Sequence, residues 1–169
     1  MRILVLMLWA STTLLFGCGD RPSAPVKFPL TFHIVSAQKI EGGRFIDTSD
    51  FPKLGYIPAV PALELRQLED VTPETSQDRT VIADRAGLES VPAMPRGTTF
   101  HIRMTPDDAK RFAVVTEQAV GKQMLLMLGD KPLMAARVMT PITGPSLQLY
   151  FDEKHDSARI GDALRALTK

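Results

Sequence analysis

The stretch Thr98–Phe151 constrains the fold most, because it carries in order the signals of a strand, a capped helix, a hairpin and a closing strand. Its first segment, Thr98–Met104, alternates apolar with polar residues, which is the period of a strand with one solvated face. The expected inward residues are Phe100, Ile102 and Met104, and the expected outward residues are Thr99, His101 and Arg103. This segment therefore predicts a sheet with one wet face.

A helix is predicted directly after this strand. Thr105 offers a side-chain oxygen for the N-cap, and Pro106 suits the first helical position, where a missing N–H costs little. Asp107 and Asp108 place negative charge at the positive end of the helix dipole, and Gly121 is the expected left-handed stop. The stripe expected to lie on a sheet consists of Ala109, Phe112, Ala113, Thr116 and Val120.

The residues after the helix predict a hairpin and a closing strand. The nearly continuous apolar run Gln123–Leu128 is typical of a strand that is covered on both faces. The later predicted elements are a hairpin turn at Gly129–Pro132, a strand at Leu133–Met139, a wide turn at Thr140–Pro145, a strand at Ser146–Phe151 and an amphipathic helix at Asp152–Leu167. The predicted class is α+β: a mainly antiparallel sheet with one packed helix after Thr98–Met104 and a C-terminal helix.

The residues before this stretch predict weaker elements. Alternation from Leu30 to about Ile40 predicts a half-buried strand, with His33 on the face opposite Phe32 and exposed to solvent. The segment Asp47–Pro61 is loop-like but rich in apolar residues, so it either packs on the core or presents a binding surface, and packing is favoured. The remaining predictions are a strand at Ala62–Val71, a turn at Thr72–Asp78, a short strand at Thr80–Ala83 and a connector at Gly87–Gly97.

The N-terminus has the features of a lipoprotein signal. One positive charge and an apolar run precede Leu15-Phe16-Gly17-Cys18, which resembles the lipobox whose cysteine is lipidated after cleavage. The alternative is a plain secretory signal with an incidental cysteine. The expected organisation is a signal peptide at 1–17, the lipidated Cys18 and a proline-rich tether at 18–29, and a single domain at 30–169.

Lipidation of Cys18 implies a location in the cell envelope, facing the periplasm. Acyl chains such as palmitate contribute about 0.8 kcal/mol per buried CH₂, so several chains give stable anchoring. Gly19 after the cysteine favours the outer over the inner membrane, whereas Asp20 leaves the choice of membrane open. No later stretch approaches the length of about 20 apolar residues that a membrane-spanning helix needs.

Composition excludes several classes of function. The sequence has 20 Lys and Arg against 19 Asp and Glu, and removal of Arg2 with the signal balances the two. Nucleic-acid binding is disfavoured, because it needs clustered cations. A single cysteine excludes an intramolecular disulfide and a multi-cysteine zinc site.

Candidate catalytic groups are few. The histidines His33, His101 and His155 lack the spacing of metal ligands, and the serines lack a Gly-x-Ser-x-Gly turn. No phosphate-binding glycine loop occurs, and Asp107 with Asp108 is explained by helix capping. The sequence predicts neither enzyme activity, nor a metal, nor a cofactor; the alternative is a periplasmic hydrolase or ligand-binding enzyme that uses His101.

Methionines concentrate around the predicted hairpin, at Met124, Met127, Met134 and Met139. They either fill the core, which is favoured, or form an adaptable surface for apolar segments.

One family resemblance rests on the helix and the hairpin. The order of a capped helix, a Gly-Lys end, an apolar strand, a Gly/Asp turn and an Ile-x-Gly turn is similar to the periplasmic head region of the SecD/SecDF protein-export subunits. The matching residues are Phe112, Thr116, Val120, Gly121, Lys122, Leu128, Gly129, Asp130, Ile142 and Gly144. The segment Leu63–Leu68 also resembles the extended segment ahead of that head.

The resemblance implies a non-catalytic domain that binds polypeptide or another envelope or export protein. It implies binding residues on the hairpin and the following turn: Gly129, Asp130, Lys131, Met134, Ile142 and Gly144. SecD-type subunits also carry a transmembrane bundle, for which this sequence has no counterpart, so proton-coupled movement is not implied. A purely structural lipoprotein is the remaining alternative.

Overall fold

The computed structural model describes residues 28–76, 96–152 and 155–168. The predicted signal, most of the tether and the short strand predicted at Thr80–Ala83 lie outside these ranges. In chain order the elements are β1 Leu30–Val35, β2 Arg44–Ile46, β3 Gly55–Ile57, β4 Leu63–Leu65, β5 Leu68–Ser76, β6 Gly97–Met104, α1 Pro106–Gln118, β7 Gln123–Leu128, β8 Lys131–Arg137, β9 Ser146–Asp152 and α2 Ser157–Ala166.

Within the described ranges, the strands form three antiparallel sheets. The first sheet has four strands in the order β4-β1-β7-β8, the second has three in the order β5-β6-β9, and β2 pairs with β3 alone. The α+β class with an internal and a C-terminal helix is confirmed, although the expected sheet is divided into three.

The main core lies where the first two sheets and both helices meet. Phe32 of β1 packs against Phe112 of α1, with ring centroids 4.9 Å apart. Phe100 of β6 and Phe151 of β9 make a second ring contact at 5.9 Å. Both helices contribute buried residues to this core, including Ile160 of α2. Burial of apolar area at about 25 cal/mol per Å² is the main stabilising term for such a cluster.

A smaller second core covers the opposite face of the first sheet. It is formed by Ile46, Ile57, Leu125 and Met127, with half-buried Phe51 and Leu54 packed against it. Consecutive residues of β7 therefore alternate between the two cores, since Met124 and Leu126 lie in the main one. The prediction of a strand covered on both faces is confirmed, and packing by the segment 47–61 is confirmed for Phe51, Leu54 and Ile57, whereas Val60 is 76% exposed.

The helix signals are confirmed at both ends of α1. Thr105 Oγ1 accepts a hydrogen bond from the Asp108 amide at 3.2 Å, and proline occupies the first turn. Gly121 adopts a positive φ of 78° beyond the last turn. The expected burial of Val120 is wrong: its side chain is 44% exposed. Because the helix ends at Gln118, the helical period no longer applies there, and Ala119 is buried instead.

The N-terminal half departs most from the sequence prediction. The segment expected as one strand over Ala62–Val71 divides between two sheets, since β4 pairs with β1 and β5 with β6. Residues 72–76, expected as a turn, continue β5 as an edge strand. Pro73 is tolerated there because an edge position needs no second backbone partner. Short β2 and β3 were not predicted, and β1 ends at Val35 rather than near Ile40.

Burial of His33 contradicts the expected solvent exposure, because the β2–β3 hairpin covers its face of β1. The histidine is only 7% exposed.

Two other elements differ at their ends: β8 begins already at Lys131, and α2 begins after Asp156, whose carboxylate accepts a hydrogen bond from the Arg159 amide at 3.1 Å. The predicted core role of the methionines holds for Met124 and Met127, whereas Met139 is 73% exposed.

Candidate binding surface

An apolar groove of about 240 Å³ lies between strands β8 and β9. Met134 and Ala136 of β8 form one wall, and Leu147 and Leu149 of β9 form the other. Its floor is made by Phe32, Phe112 and Leu126 of the main core. This surface, called the β8–β9 groove below, therefore joins the edges of two different sheets.

The turn after β8 closes one end of this groove and is fastened to α1. The backbone N–H of Ile142 donates to Thr116 Oγ1 at 2.9 Å. The Thr116 hydroxyl in turn donates to the carbonyl of Phe112 at 2.9 Å. Because Thr116 is fully buried, both hydrogen bonds are protected from competing water. The position of Ile142 is thus fixed by a polar group that lies inside the helix–sheet interface.

Strand β8 is an open edge, because among the described strands it pairs with β7 alone. The Val138 amide donates to the Lys122 carbonyl at 3.0 Å, so the N–H of Val138 points toward the β7 side. Hydrogen-bonded positions alternate along an antiparallel pair. Met134 and Ala136 therefore bond to β7, while the backbone groups of Ala135 and Arg137 point outward from the sheet.

A register irregularity turns Met134 toward the groove. Leu126 is opposite Met134 and Met127 is opposite Pro132, so Leu133 is skipped in the pairing. Such an extra residue lets neighbouring side chains reach the same side of a sheet. Leu133 is buried in the main core, and Met134 packs against it at the groove wall.

The hairpin tip borders a separate cavity of about 350 Å³. Asp130 and Lys131 line it together with Arg159 and Ile160 of α2. Gly129 adopts φ of 58°, and its amide donates to the Pro29 carbonyl at 3.1 Å. The tip is therefore packed against the beginning of the described chain.

The six residues predicted for binding do not form a single site. Asp130 and Lys131 lie at the hairpin-tip cavity beside Gly129, whereas Met134 and Ile142 lie in the β8–β9 groove. An added Cβ at Gly144 would meet nothing within 4 Å, so this glycine lies in open space. Leu147 and Phe32 were not predicted as groove residues, because their apolar alternation is that of ordinary core residues.

The three histidines lie apart and have different surroundings. His101 Nε2 lies 2.8 Å from a carboxylate oxygen of Glu74 on the solvated face of the second sheet. His155 Nδ1 lies 2.7 Å from a carboxylate oxygen of Asp152. Neither pair lines the groove or the hairpin-tip cavity. Within the described ranges, no group of three or more His, Cys, Asp or Glu residues is placed to hold a metal ion.

The fold is that of an α+β domain with an open apolar groove between the edges of two sheets. Comparison with known proteins gives a more particular likeness. No protein-family model matches the chain. The SecD subunit of the protein translocase from Acidaminococcus fermentans is 33% identical over 90 residues, which cover 52% of this chain and 19% of that protein. The chain thus spans about a fifth of the length of this relative.

Solved structures of SecDF have a similar fold. One, of the membrane component SecDF that enhances protein export, has a TM-score of 0.54 and covers 84% of this chain and 64% of the other. A second structure, of SecDF in a super-membrane-facing form, has a TM-score of 0.53, and the match covers 84% of this chain and 19% of the other. Both are 19% identical in sequence, so they show a shared fold. The chain therefore contains a SecD/SecDF-like domain.

Among the described residues, neither helix has the length and apolar character that a membrane span requires.

Proposed function

We propose that this SecD/SecDF-like domain binds an extended, apolar polypeptide segment in the β8–β9 groove, without catalysing a reaction. The single observation that carries the proposal is the juxtaposition of an open strand edge with an apolar groove. The outward backbone groups of Ala135 and Arg137 supply hydrogen bonds, and the groove beside Met134 takes up side chains. Strand addition uses these two elements together, because side chains alternate while the backbone pairs.

The resemblance to SecD supports a polypeptide ligand. The sequence relative is a subunit of a protein translocase, and one related structure is of a component that enhances protein export. For this chain we infer an analogous ligand: a polypeptide in transit through the envelope, or an export protein that presents an extended segment. The small volume of the groove limits the buried part to a few side chains, so binding is expected to be weak and tolerant of sequence.

We further propose that the domain is tethered to a membrane through lipidated Cys18, facing the periplasm, with the outer membrane favoured. The chain from Cys18 to Phe28 is roughly ten residues, which span at most about 35 Å when extended. Phe28 lies against Gly129, so the hairpin tip would stay near the bilayer surface. Such a tether would raise the local concentration of the domain for ligands that emerge at the membrane.

The experiment that tests the binding proposal uses the purified full chain in detergent and a peptide with alternating apolar residues. We expect added amide-exchange protection at Ala135 and Arg137, whose N–H groups become paired, with little change at Met134 and Ala136. A peptide of the same length in which charged residues replace the apolar ones serves as the control. Protection that is equal for both peptides, or absent at Ala135, would contradict the proposal.

A further inference from the structure

His33 occupies a central strand yet has an unsatisfied ring nitrogen. It lies in β1, between β4 and β7 in the first sheet, and the β2–β3 hairpin covers it. Among the described residues, its Nδ1 is the buried side-chain nitrogen or oxygen that lacks a hydrogen-bond partner. A backbone hydrogen bond involves Pro58, in the loop that follows β3, and therefore uses the other ring nitrogen. The neutral ring accordingly carries its proton toward Pro58 and presents a bare Nδ1 to apolar neighbours.

Among the residues that the structure describes, the charged groups around the ring do not provide a counter-ion. Arg44 of β2 places a cation near it, with its guanidinium 3.5 Å from Met127 Sδ. Glu64 of β4 points from the same face of the sheet, but its carboxylate is paired with Arg66 at 2.9 Å. In the β2–β3 loop, the Asp47 carboxylate accepts a hydrogen bond from the Lys53 amide at 3.0 Å. From β7, the residue opposite His33 is the apolar Leu125.

Protonation of this ring therefore opposes the packed arrangement. Burial lowers the pKa of His33 below its ordinary value of 6.5; the hydrogen bond at Pro58 partly opposes that shift, and the Arg44 cation adds to it. A proton on Nδ1 would be buried without an acceptor, which costs free energy. Since the open state keeps the higher pKa, it binds the proton first as the pH falls. The packed state therefore has its full stability relative to the open state above pH 6.5. That stability decreases as the pH falls below 6.5, until the pH reaches the lower pKa that His33 has in the packed state.

The layer over His33 is also weakly attached to the first sheet. The β2–β3 pair shares no ladder with the four-stranded sheet and is joined to β1 by an isolated bridge between Ser36 and Tyr56. Two backbone hydrogen bonds of 2.9 and 2.8 Å make that bridge. Its apolar attachment is the second core, which has four fully buried residues. Small units of this kind open locally at less cost than the global unfolding of a domain.

We propose that the β2–β3 hairpin, residues 44–57, is a flap that protonation of His33 releases. Its opening exposes Leu125 and Met127 of β7, which lie in the second core beneath the flap. These residues are on the sheet face opposite the β8–β9 groove, so the flap adds an acid-dependent apolar surface. Release of the flap does not depend on polypeptide binding, because it follows from the covered histidine and the attachment of the flap.

Amide hydrogen exchange of the full chain in detergent, between pH 7.5 and 5.0, tests the flap. After correction for intrinsic exchange rates, protection of the Ser36 and Tyr56 amides should fall below pH 6.5 by at most tenfold per pH unit, the limit for one linked proton. Protection of the Val138 amide in the β7–β8 ladder should stay constant. Unchanged protection at Ser36 and Tyr56 would overturn the proposal.

Substitution separates His33 from other titrating groups. The neutral variant His33→Gln should remove the pH dependence of the flap amides, whereas His101→Gln and Glu64→Gln should retain it. Persistence of the dependence in His33→Gln would overturn the proposal. If that variant does not fold, a proton NMR titration of His33 in the unaltered chain decides instead. A titration midpoint at the ordinary value of 6.5 contradicts the flap, and a midpoint below 6.5 supports it.

Discussion

The hydroxyl of Thr116 accepts a hydrogen bond from the backbone N–H of Ile142 at 2.9 Å, and this contact fastens the edge of the β8–β9 groove to the last turn of α1. The two residues are 26 positions apart in sequence. A buried side chain of the helix thus satisfies a loop amide that would otherwise lack a partner. The groove depends on this contact for its shape, because Ile142 is one of its lining residues.

Replacement Thr116→Val should destabilise the fold and disorder the groove. The variant keeps the branched shape but leaves the Ile142 amide unsatisfied, which costs about 1–3 kcal/mol. Urea denaturation at equilibrium measures this cost. Thr116→Ser retains the hydroxyl and should recover most of the stability attributable to the hydrogen bond. Equal stability of the valine variant and the unaltered protein would show that the contact is unimportant.

A comparison of three glycines, of which Gly129 lies in the hairpin turn, offers a second test. Gly129→Ala should cost about 1–2 kcal/mol for a side chain in left-handed backbone, and more from contact, since an added Cβ would lie 2.9 Å from Phe28 Cδ1. Gly121→Ala shares the positive φ but has open space, so it isolates the backbone cost. Gly144→Ala should be nearly neutral. Thermal unfolding of the three variants gives the ranking, and a Gly129 variant no worse than Gly121→Ala would refute the Phe28 contact.

Proline substitution distinguishes the two sides of β8. Ala135→Pro removes an N–H that points away from β7, so the folded state should survive with a modest loss of stability while strand addition is weakened. Ala136→Pro removes a hydrogen bond of the β7–β8 ladder and leaves a β7 carbonyl without its donor, so it should destabilise the domain by about 1–3 kcal/mol, more than Ala135→Pro does. Peptide affinity and denaturation midpoints, measured on both variants, separate binding from folding. Equal peptide affinity of Ala135→Pro and the unaltered chain would exclude pairing at that amide.

Lipid anchoring is tested at the cysteine. Cys18→Ala should abolish incorporation of radiolabelled palmitate and move the protein from the membrane fraction to the soluble fraction of the envelope. Gly17→Ala, which keeps a small residue before the cysteine, should leave labelling intact. Membrane retention of the alanine variant at position 18 would contradict a lipid anchor there.

The sequence predicted the elements whose signals are local. Thr105 and Gly121 mark the ends of α1, and the apolar run of β7 predicts burial on both faces, because neither inference needs knowledge of distant residues. The short strands β2 and β3 have only three residues each, too few to establish a period, and their pairing depends on the sheet beneath them.

The residues whose structure was predicted wrongly depend on partners that are distant in the sequence. His33 lies on the predicted face of β1, but its burial follows from the flap that covers that face, which nothing within β1 reveals. Residues 72–76 are polar and resemble a turn, yet β6 supplies backbone partners for a strand. The β8–β9 groove combines residues from separate sheets and a helix, so the sequence could name Met134 and Ile142 as candidates but not their apolar neighbours.

Photo-crosslinking in living cells tests the central claim most directly. A crosslinking amino acid at Met139, an exposed residue on the groove, is compared with one at Val114, which is 53% exposed on the outer side of α1. Polypeptide binding in the groove predicts adducts to exported polypeptides or export proteins from position 139, reduced by Ala135→Pro, and few from position 114. The same adducts from both positions, or none from position 139, would contradict it.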